Sequence, residues 1–255
     1  RQLSDDLLAA LDGDGLTVAY QPQVCTLGGE AVALEALVRW PHPTRGLLLP
    51  GDFLPVAEDA DLVERIDARV LDLVLADIAG WRSAGVDPPP VAVNVSARRL
   101  ADPGLLPALT ERRLPPGAIV FEVLETVLLD QVSDRLRWNI DGLQDLGIPL
   151  ELDDFGTGRA SLASVLSLRP SRIKIAGTIV AACLAPGGEK GLLGAIAALG
   201  RELGVGLTAE GVEDPAQIAL VGAMGFDRLQ GNALSPPVPA AGVPALLARP
   251  LVRRA

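Results

Sequence analysis

Polar side chains with chemical potential recur at the ends of short apolar runs in this chain: Gln21, Glu35 with Arg39, Asn94, Glu122 with Glu125, the adjacent pair Asp153 and Asp154, Lys174, Glu210 and Gln230. Taken singly, each has a plain structural reading. Asn94 or Ser96 can cap the following helix, 153–156 can form an Asx turn, and Glu122 can face solvent. Taken together they do not, because Glu35, Glu122, Asp153, Asp154 and Glu210 gathered at one place would repel one another and raise their own pKa values unless cations neutralised them. The set is made of oxygen donors, holds no cysteine and excludes the lone histidine. Such hard ligands select Mg²⁺ or Mn²⁺ over zinc or copper. Two adjacent acids such as Asp153 and Asp154 suit a pair of ions, and two ions a few ångströms apart stabilise both the entering and the leaving oxygen of a phosphodiester.

What would gather these residues is the pattern of elements between them. β-type runs fall at 16–21, 31–40, 91–95, 118–124, 149–153, 172–175, 206–209 and 226–229, each with a polar residue at or beside its end. Helical patterns at 61–84, 125–146, 191–203 and 215–224 alternate with them, as in a parallel α/β fold. The first two runs are joined only by 22–30, too short for a crossover helix, so that pair must be antiparallel. The expected fold is an α/β, TIM-like (β/α)8 barrel with the first strand antiparallel. Its carboxyl-end mouth is where such barrels place their chemistry. The competing architecture, an open doubly wound sheet, would show a glycine-rich phosphate loop opening an early helix. Gly13, Gly15, Gly28 and Gly29 precede strands instead and read as turns.

Composition narrows the function classes. The 255 residues are 49% hydrophobic, enough for one full core, so 1–255 reads as a single domain. The 27 glycines and 21 prolines stay below the level of low-complexity chains and read as turn punctuation. A net charge of −10 argues against a nucleic-acid polymer or an anionic membrane surface as partner. A small anionic substrate remains compatible, because bound divalent cations invert the local field. Cys25 and Cys183 lack any paired spacing, which fits a reducing cytoplasm. The start at Arg1, with no signal peptide and no long apolar run, reads as a domain cut from a longer protein whose remaining segments could anchor it to a membrane.

The ordered motifs resemble those of the EAL-domain cyclic di-GMP phosphodiesterases over about residues 3–239. The naming tripeptide is Glu35-Ala36-Leu37, preceded by Tyr20-Gln21-Pro22 and followed by Val38-Arg39-Trp40 and Pro41-His42-Pro43. The other blocks follow in order: Asn94-Val95-Ser96, Glu122-Val123-Leu124-Glu125, Asp153-Asp154-Phe155-Gly156-Thr157-Gly158, Lys174, Glu210-Gly211-Val212-Glu213 and Gln230-Gly231. The resemblance implies hydrolysis of cyclic di-GMP to linear 5′-pGpG with two Mg²⁺ or Mn²⁺ ions. It implies that Glu35, Asn94, Glu122 and Asp153 hold one ion, and that Asp153, Asp154 and, through water, Glu210 hold the other. Lys174 would orient the attacking water and the phosphate, and Gln230 would support the second-ion side. Arg39 would contact a substrate phosphate, Gln21 would read the guanine, and Glu125 would anchor the loop 154–161. A homodimer is implied in the same way, and the parent chain leaves room for a sensory or diguanylate-cyclase-type domain ahead of this one.

Several positions depart from the family pattern. Ala176 stands where the family has an acid two residues beyond the lysine, Arg159-Ala160 replace Tyr-Ser, Leu124 replaces Thr, and Asn232 and Leu234 replace aromatics. Ala176 shares the face of Lys174. Glu151 shares the parity of Asp153 and, if it points inward, offers a compensating acid. The alternative function is a catalytically impaired domain acting as a cyclic di-GMP receptor; a third reading is a scaffold that binds neither substrate nor metal.

Overall fold

A computed structural model describes residues 2–125, 133–157, 165 and 167–252. Its strands are β1 (Thr17–Cys25), β2 (Ala31–His42), β3 (Gly46–Leu48), β4 (Val91–Asn94), β5 (Ile119–Leu124), β6 (Leu150–Phe155), β7 (Arg172–Ile175), β8 (Gly206–Ala209), β9 (Arg228–Leu229) and β10 (Val238–Pro239). From β2 through β4 to β9 each strand lies parallel to its neighbour, and β1 closes the ring antiparallel to both β2 and β9. The result is a TIM-like (β/α)8 barrel of eight strands with the first one reversed. Strand β3 folds back on β2 as a hairpin, and β10 adds to the outside of β1; neither was legible as a strand run.

The inside and outside of this barrel are sorted by residue parity. Tyr20, Val91, Val93, Phe121, Val123, Leu150, Leu152, Ile173, Leu207 and Leu229 alternate with polar residues along their strands, and all are buried in the apolar core. That core lies between the strands and the surrounding helices. Tyr20, for example, meets Trp81 of helix Val63–Ser83 edge-on at 4.9 Å and donates its hydroxyl to Asp77 at 2.6 Å. Each such large side chain stabilises the fold by roughly 1.5–3 kcal/mol. The opposite parity, Gln21, Gln23, Glu35, Asn94, Glu122, Glu151, Asp153, Arg172, Lys174, Thr208, Arg228 and Gln230, makes the interior polar, where barrels of this class are filled by branched apolar layers. The sequence therefore spends its barrel lumen on polar groups and builds its core outside.

Helices Val63–Ser83, Lys190–Leu203 and Pro215–Ala223 fall where periodicity places them. The last starts from an Asp214 capping box with Pro215 in its first turn, and Gly204 ends the one before it in the left-handed region at φ 66°. The helix read as 125–146 is shorter than its pattern. Ser133 is extended, accepts a hydrogen bond from Leu136 N and starts the helix at Asp134, which runs to Asp145. Residues 126–132, the loop residues 158–161 and the departures Arg159 and Ala160 lie outside the described residues. Strand β1 also continues beyond its expected end at Gln21, through Pro22 to Cys25, so that the connection to β2 is the turn at 26–30 with Gly29 at φ 75°. Among the described residues no helix is long and apolar enough to cross a membrane.

Candidate metal centre

At the carboxyl end of the barrel the ligand oxygens of Glu35, Glu122 and Asp153 lie within 4.8 Å of one another. These side chains come from β2, β5 and β6, and all three are buried. The wholly buried Lys174 ammonium from β7 stands among them, with Nζ 2.8 Å from Glu210, 3.0 Å from Asp153, 3.1 Å from Glu35 and 3.2 Å from Glu122. One cation thus faces four carboxylates. Asn94 donates its Nδ2 to Glu35 Oε1 at 3.3 Å, while the cap of the next helix is made by Ser96, whose hydroxyl accepts from Arg99 N.

The amides close the ring on the other side. Gln230 Nε2 donates to Glu35 Oε2 at 2.5 Å and to Gln21 Oε1 at 3.1 Å, and Gln21 Nε2 donates to Ser235 O at 3.1 Å. The contacts of Gln230 are therefore on the Glu35 side of the cluster. Above the ring opens a cleft of about 530 Å³ lined by Gln21, Glu35, Arg39, Asp153, Asp154 and Glu210, with Leu49, Glu213 and Asn232 at its walls. Arg39, on the inward parity of β2, donates Nη1 to Val38 O at 2.9 Å.

Asp153 and Asp154 both reach this end because β6 carries an extra residue there. The ladder pairs Leu152 with Ile173 and then Phe155 with Ile175, and Asp154 takes up the excess at φ 53°, in the left-handed region where aspartate is tolerated. Glu125, just past β5, accepts from Gly156 N at 2.8 Å and so ties the β6 turn to the end of β5.

Burial and like charge leave their mark on the acids. Burial drives the Glu122 carboxyl well above the usual carboxylate range, and Glu35 adds to the rise. Burial raises Glu210 to about 8 against the pull of Lys174, with Asp153 and Glu35 contributing. Asp154 is raised by burial and then by Asp153. Burial works against the Lys174 charge, but Glu122, Glu35, Asp153 and Glu210 together hold its ammonium well above its ordinary range. Glu122 Oε2, Asp153 Oδ1 and Gln230 Oε1 are buried without accepting a hydrogen bond of good geometry. Oxygens of converging acids that share a single ammonium, with no sulfur and no histidine among them, fit hard divalent cations.

The departure at Ala176 and the acid offered as its compensation are also placed. Ala176 is buried and takes the N-cap position of helix Gly177–Leu184, which has no side-chain cap. Glu151 points inward, but its Oε1 lies 3.6 Å from Arg172 Nε and 3.5 Å from Arg228 Nη1. That carboxylate is committed to two arginines below the cluster and does not stand in for the acid missing at Ala176. Gln23, Leu49 and Arg228 carry no signal in the motifs, and Glu213 stands in a motif without an assigned role; Gln23 lies two residues from Gln21 on the same strand face, a signal exposed once β1 is extended.

Known proteins fall in line with this geometry. The bifunctional diguanylate cyclase/cyclic di-GMP phosphodiesterase MucR of Pseudomonas aeruginosa is 36% identical over 243 residues, covering 94% of this chain and 35% of that protein. The cyclic di-GMP phosphodiesterase NbdA of the same organism is 33% identical over 246 residues, covering 95% and 31%. The chain spans about a third of the length of these two curated relatives. A solved structure described as PaMucR phosphodiesterase in complex with c-di-GMP superposes with a TM-score of 0.86 at 35% identity, covering 95% of this chain and 100% of that one. The family model described as the EAL domain matches residues 4–237, and the chain belongs to that family.

Proposed function

We propose that this domain hydrolyses cyclic di-GMP to linear 5′-pGpG at the barrel mouth, with two Mg²⁺ or Mn²⁺ ions. The observation that carries the reading is the meeting of Glu35, Glu122 and Asp153 within 4.8 Å around a single ammonium, at the floor of an open cleft. That both MucR and NbdA are described as cyclic di-GMP phosphodiesterases supports the substrate class.

Glu35, Asn94, Glu122 and Asp153 would hold one ion, and Asp153, Asp154 and, through water, Glu210 the other. Divalent ions there would make water a stronger acid and neutralise charge gathering on the phosphate. The chain's own groups supply position. Lys174 Nζ, fixed by four carboxylates, orients water and the phosphate oxygens. Arg39 presents a planar fork to a substrate phosphate. Gln21 and Gln230, already bonded to each other, fix the wall beside Glu35, where Gln21 reads the guanine edge. Glu125 holds the turn after Asp154 through Gly156 N. Water adds to phosphorus, the bond to the 3′ oxygen breaks, and that oxygen leaves with a proton, giving a 5′-phosphate at one end and a free 3′-hydroxyl at the other.

Incubation of the purified domain with cyclic di-GMP and Mg²⁺ or Mn²⁺, followed by chromatography, tests this directly. The expected product is pGpG; tight binding without product would establish the receptor reading, and neither binding nor product would establish the scaffold. We also propose a cytoplasmic, homodimeric parent protein; a sensory or cyclase-type domain elsewhere in its chain is supported by the greater length of the relatives and by the bifunctional description of MucR.

A further inference from the structure

Directly beneath the acid cluster lies a polar chain that the phosphodiesterase reading does not use. Gln23, on the inward face of β1, is wholly buried. Its Nε2 donates to Glu122 Oε1 at 3.1 Å, and its Oε1 accepts from Arg228 Nη1 at 3.0 Å. Arg228 also approaches Glu151 Oε1 at 3.5 Å, Glu151 approaches Arg172 Nε at 3.6 Å, and Arg172 Nη1 stands 3.5 Å from Asp227 Oδ2. The chain runs from solvent-exposed Asp227, at the end of the barrel opposite the mouth, to Glu122.

An amide carries a donor and an acceptor at one end, and its orientation is set by its neighbours. A guanidinium can only donate, so Arg228 requires the carbonyl oxygen of Gln23 to face it. The Gln23 NH₂ is thereby turned to Glu122, and it must meet an accepting oxygen there. This commits Glu122 Oε1 to the floor and leaves Oε2, which accepts no hydrogen bond of good geometry, on the side of Lys174, Glu35 and Asp153. A methionine at 23 would keep the volume and lose both bonds. A glutamate would pair with Arg228 and set a second carboxylate against Glu122.

We propose that Gln23, oriented by Arg228, is a positioning residue that fixes the Glu122 carboxylate as a ligand with one oxygen presented to the ion site. This rests on the metal reading above. Outer partners of ligand carboxylates typically change metal affinity by about 10–100-fold when removed.

The test is Mn²⁺ binding to the metal-free domain, read by loss of the free-ion electron paramagnetic resonance signal, with thermal melting as the check on folding. Q23M and Q23E are expected to melt cooperatively and to bind Mn²⁺ about tenfold or more weakly than wild type. Their kcat, measured well below the melting temperature of the metal-free variant so that unfolding does not contribute, should fall at limiting Mn²⁺ and recover at saturating Mn²⁺, with KM for cyclic di-GMP unchanged. If Q23M does not fold, R228M carries the same test, since it frees the amide without touching Glu122, and weakened Mn²⁺ binding is again the expected result. Wild-type Mn²⁺ affinity in a folded Q23M or R228M overturns this inference alone. A wild-type domain that binds no Mn²⁺ overturns the metal reading and this inference with it.

Discussion

The barrel encloses two charged layers, and they are built on opposite principles. In the floor, buried Glu151 lies between the cations Arg172 and Arg228, and Arg172 also reaches the solvent-exposed Asp227, each within 3.6 Å of an opposite charge. At the mouth, Glu35, Glu122, Asp153 and Glu210 share Lys174, with Asp154 beside them and Arg39 in the cleft. Glu151 and Glu122 are both raised chiefly by burial, but arginines pull the first back down while Glu35 pushes the second further up. The floor is balanced by the protein itself and reads as structure. The mouth is left short of positive charge, which is the condition a divalent ion relieves.

If the mouth is functional and the floor structural, mutations should separate activity from stability. Glu35→Ala should lower kcat by on the order of 10³-fold or more, as loss of a group acting within a catalytic unit does, while leaving the melting temperature of the metal-free domain unchanged or higher. Steady-state pGpG formation and calorimetry on the same preparation check both halves; wild-type turnover in this variant would remove Glu35 from the metal centre. Glu151→Leu should do the reverse and cost roughly 3–5 kcal/mol of unfolding free energy, because Arg172 and Arg228 lose a buried partner. Denaturant melts read this, and an unchanged midpoint would mean the floor is not what balances the lumen.

The same contrast predicts a pH dependence. A carboxyl raised in the folded state, as Glu210 is to about 8, contributes stability below its unfolded pKa of about 4.5 and loses it as pH rises through 8. The metal-free domain should therefore melt at a higher temperature near pH 5 than near pH 8, and added Mn²⁺ should narrow the gap by stabilising the ionised mouth. Melting curves at the two pH values, with and without metal, measure it, and a metal-free domain more stable at pH 8 would contradict the charge imbalance.

The smallest effect is expected at Ala176. An aspartate there would sit at an uncapped helix start, adding about 0.5–2 kcal/mol of stability through the cap. Ala176→Asp should change kcat by less than about tenfold, since the proposed ligand set does not include this position; a larger gain at saturating Mn²⁺ would show that the missing acid takes part in the chemistry.

The sequence was most legible where one face of a strand had to be polar. The parity of Glu35, Glu122, Asp153 and Lys174 carried them to one mouth, and the short connection after the first strand forced its reversal. It was least legible at Pro22, which ended the expected first strand early. The structure shows why proline is accepted there: Pro22 faces Leu34, whose N–H turns away to Pro90 O at 3.0 Å, so this pair exchanges no ladder bonds and the missing donor costs nothing. Stopping at Pro22 hid Gln23, and with it the link between the two layers. The helix from Asp134 was overextended because its apolar period ran on across Ser133, and only the capping bond marks the start. The floor was half visible: the inward parity of Glu151 could be read, but the register that sets it opposite Arg172 and the ring closure that brings Arg228 across the lumen are tertiary, and nothing local announces either pairing.

The central claim is that the mouth, and not the floor, is a divalent-ion centre. Crystals grown metal-free and soaked in Mn²⁺, with anomalous scattering measured above the manganese edge, test it most directly. Anomalous density is expected among Glu35, Glu122 and Asp153, with none beside Glu151. Density absent from the mouth at full soaking, or present only in the floor, would contradict it.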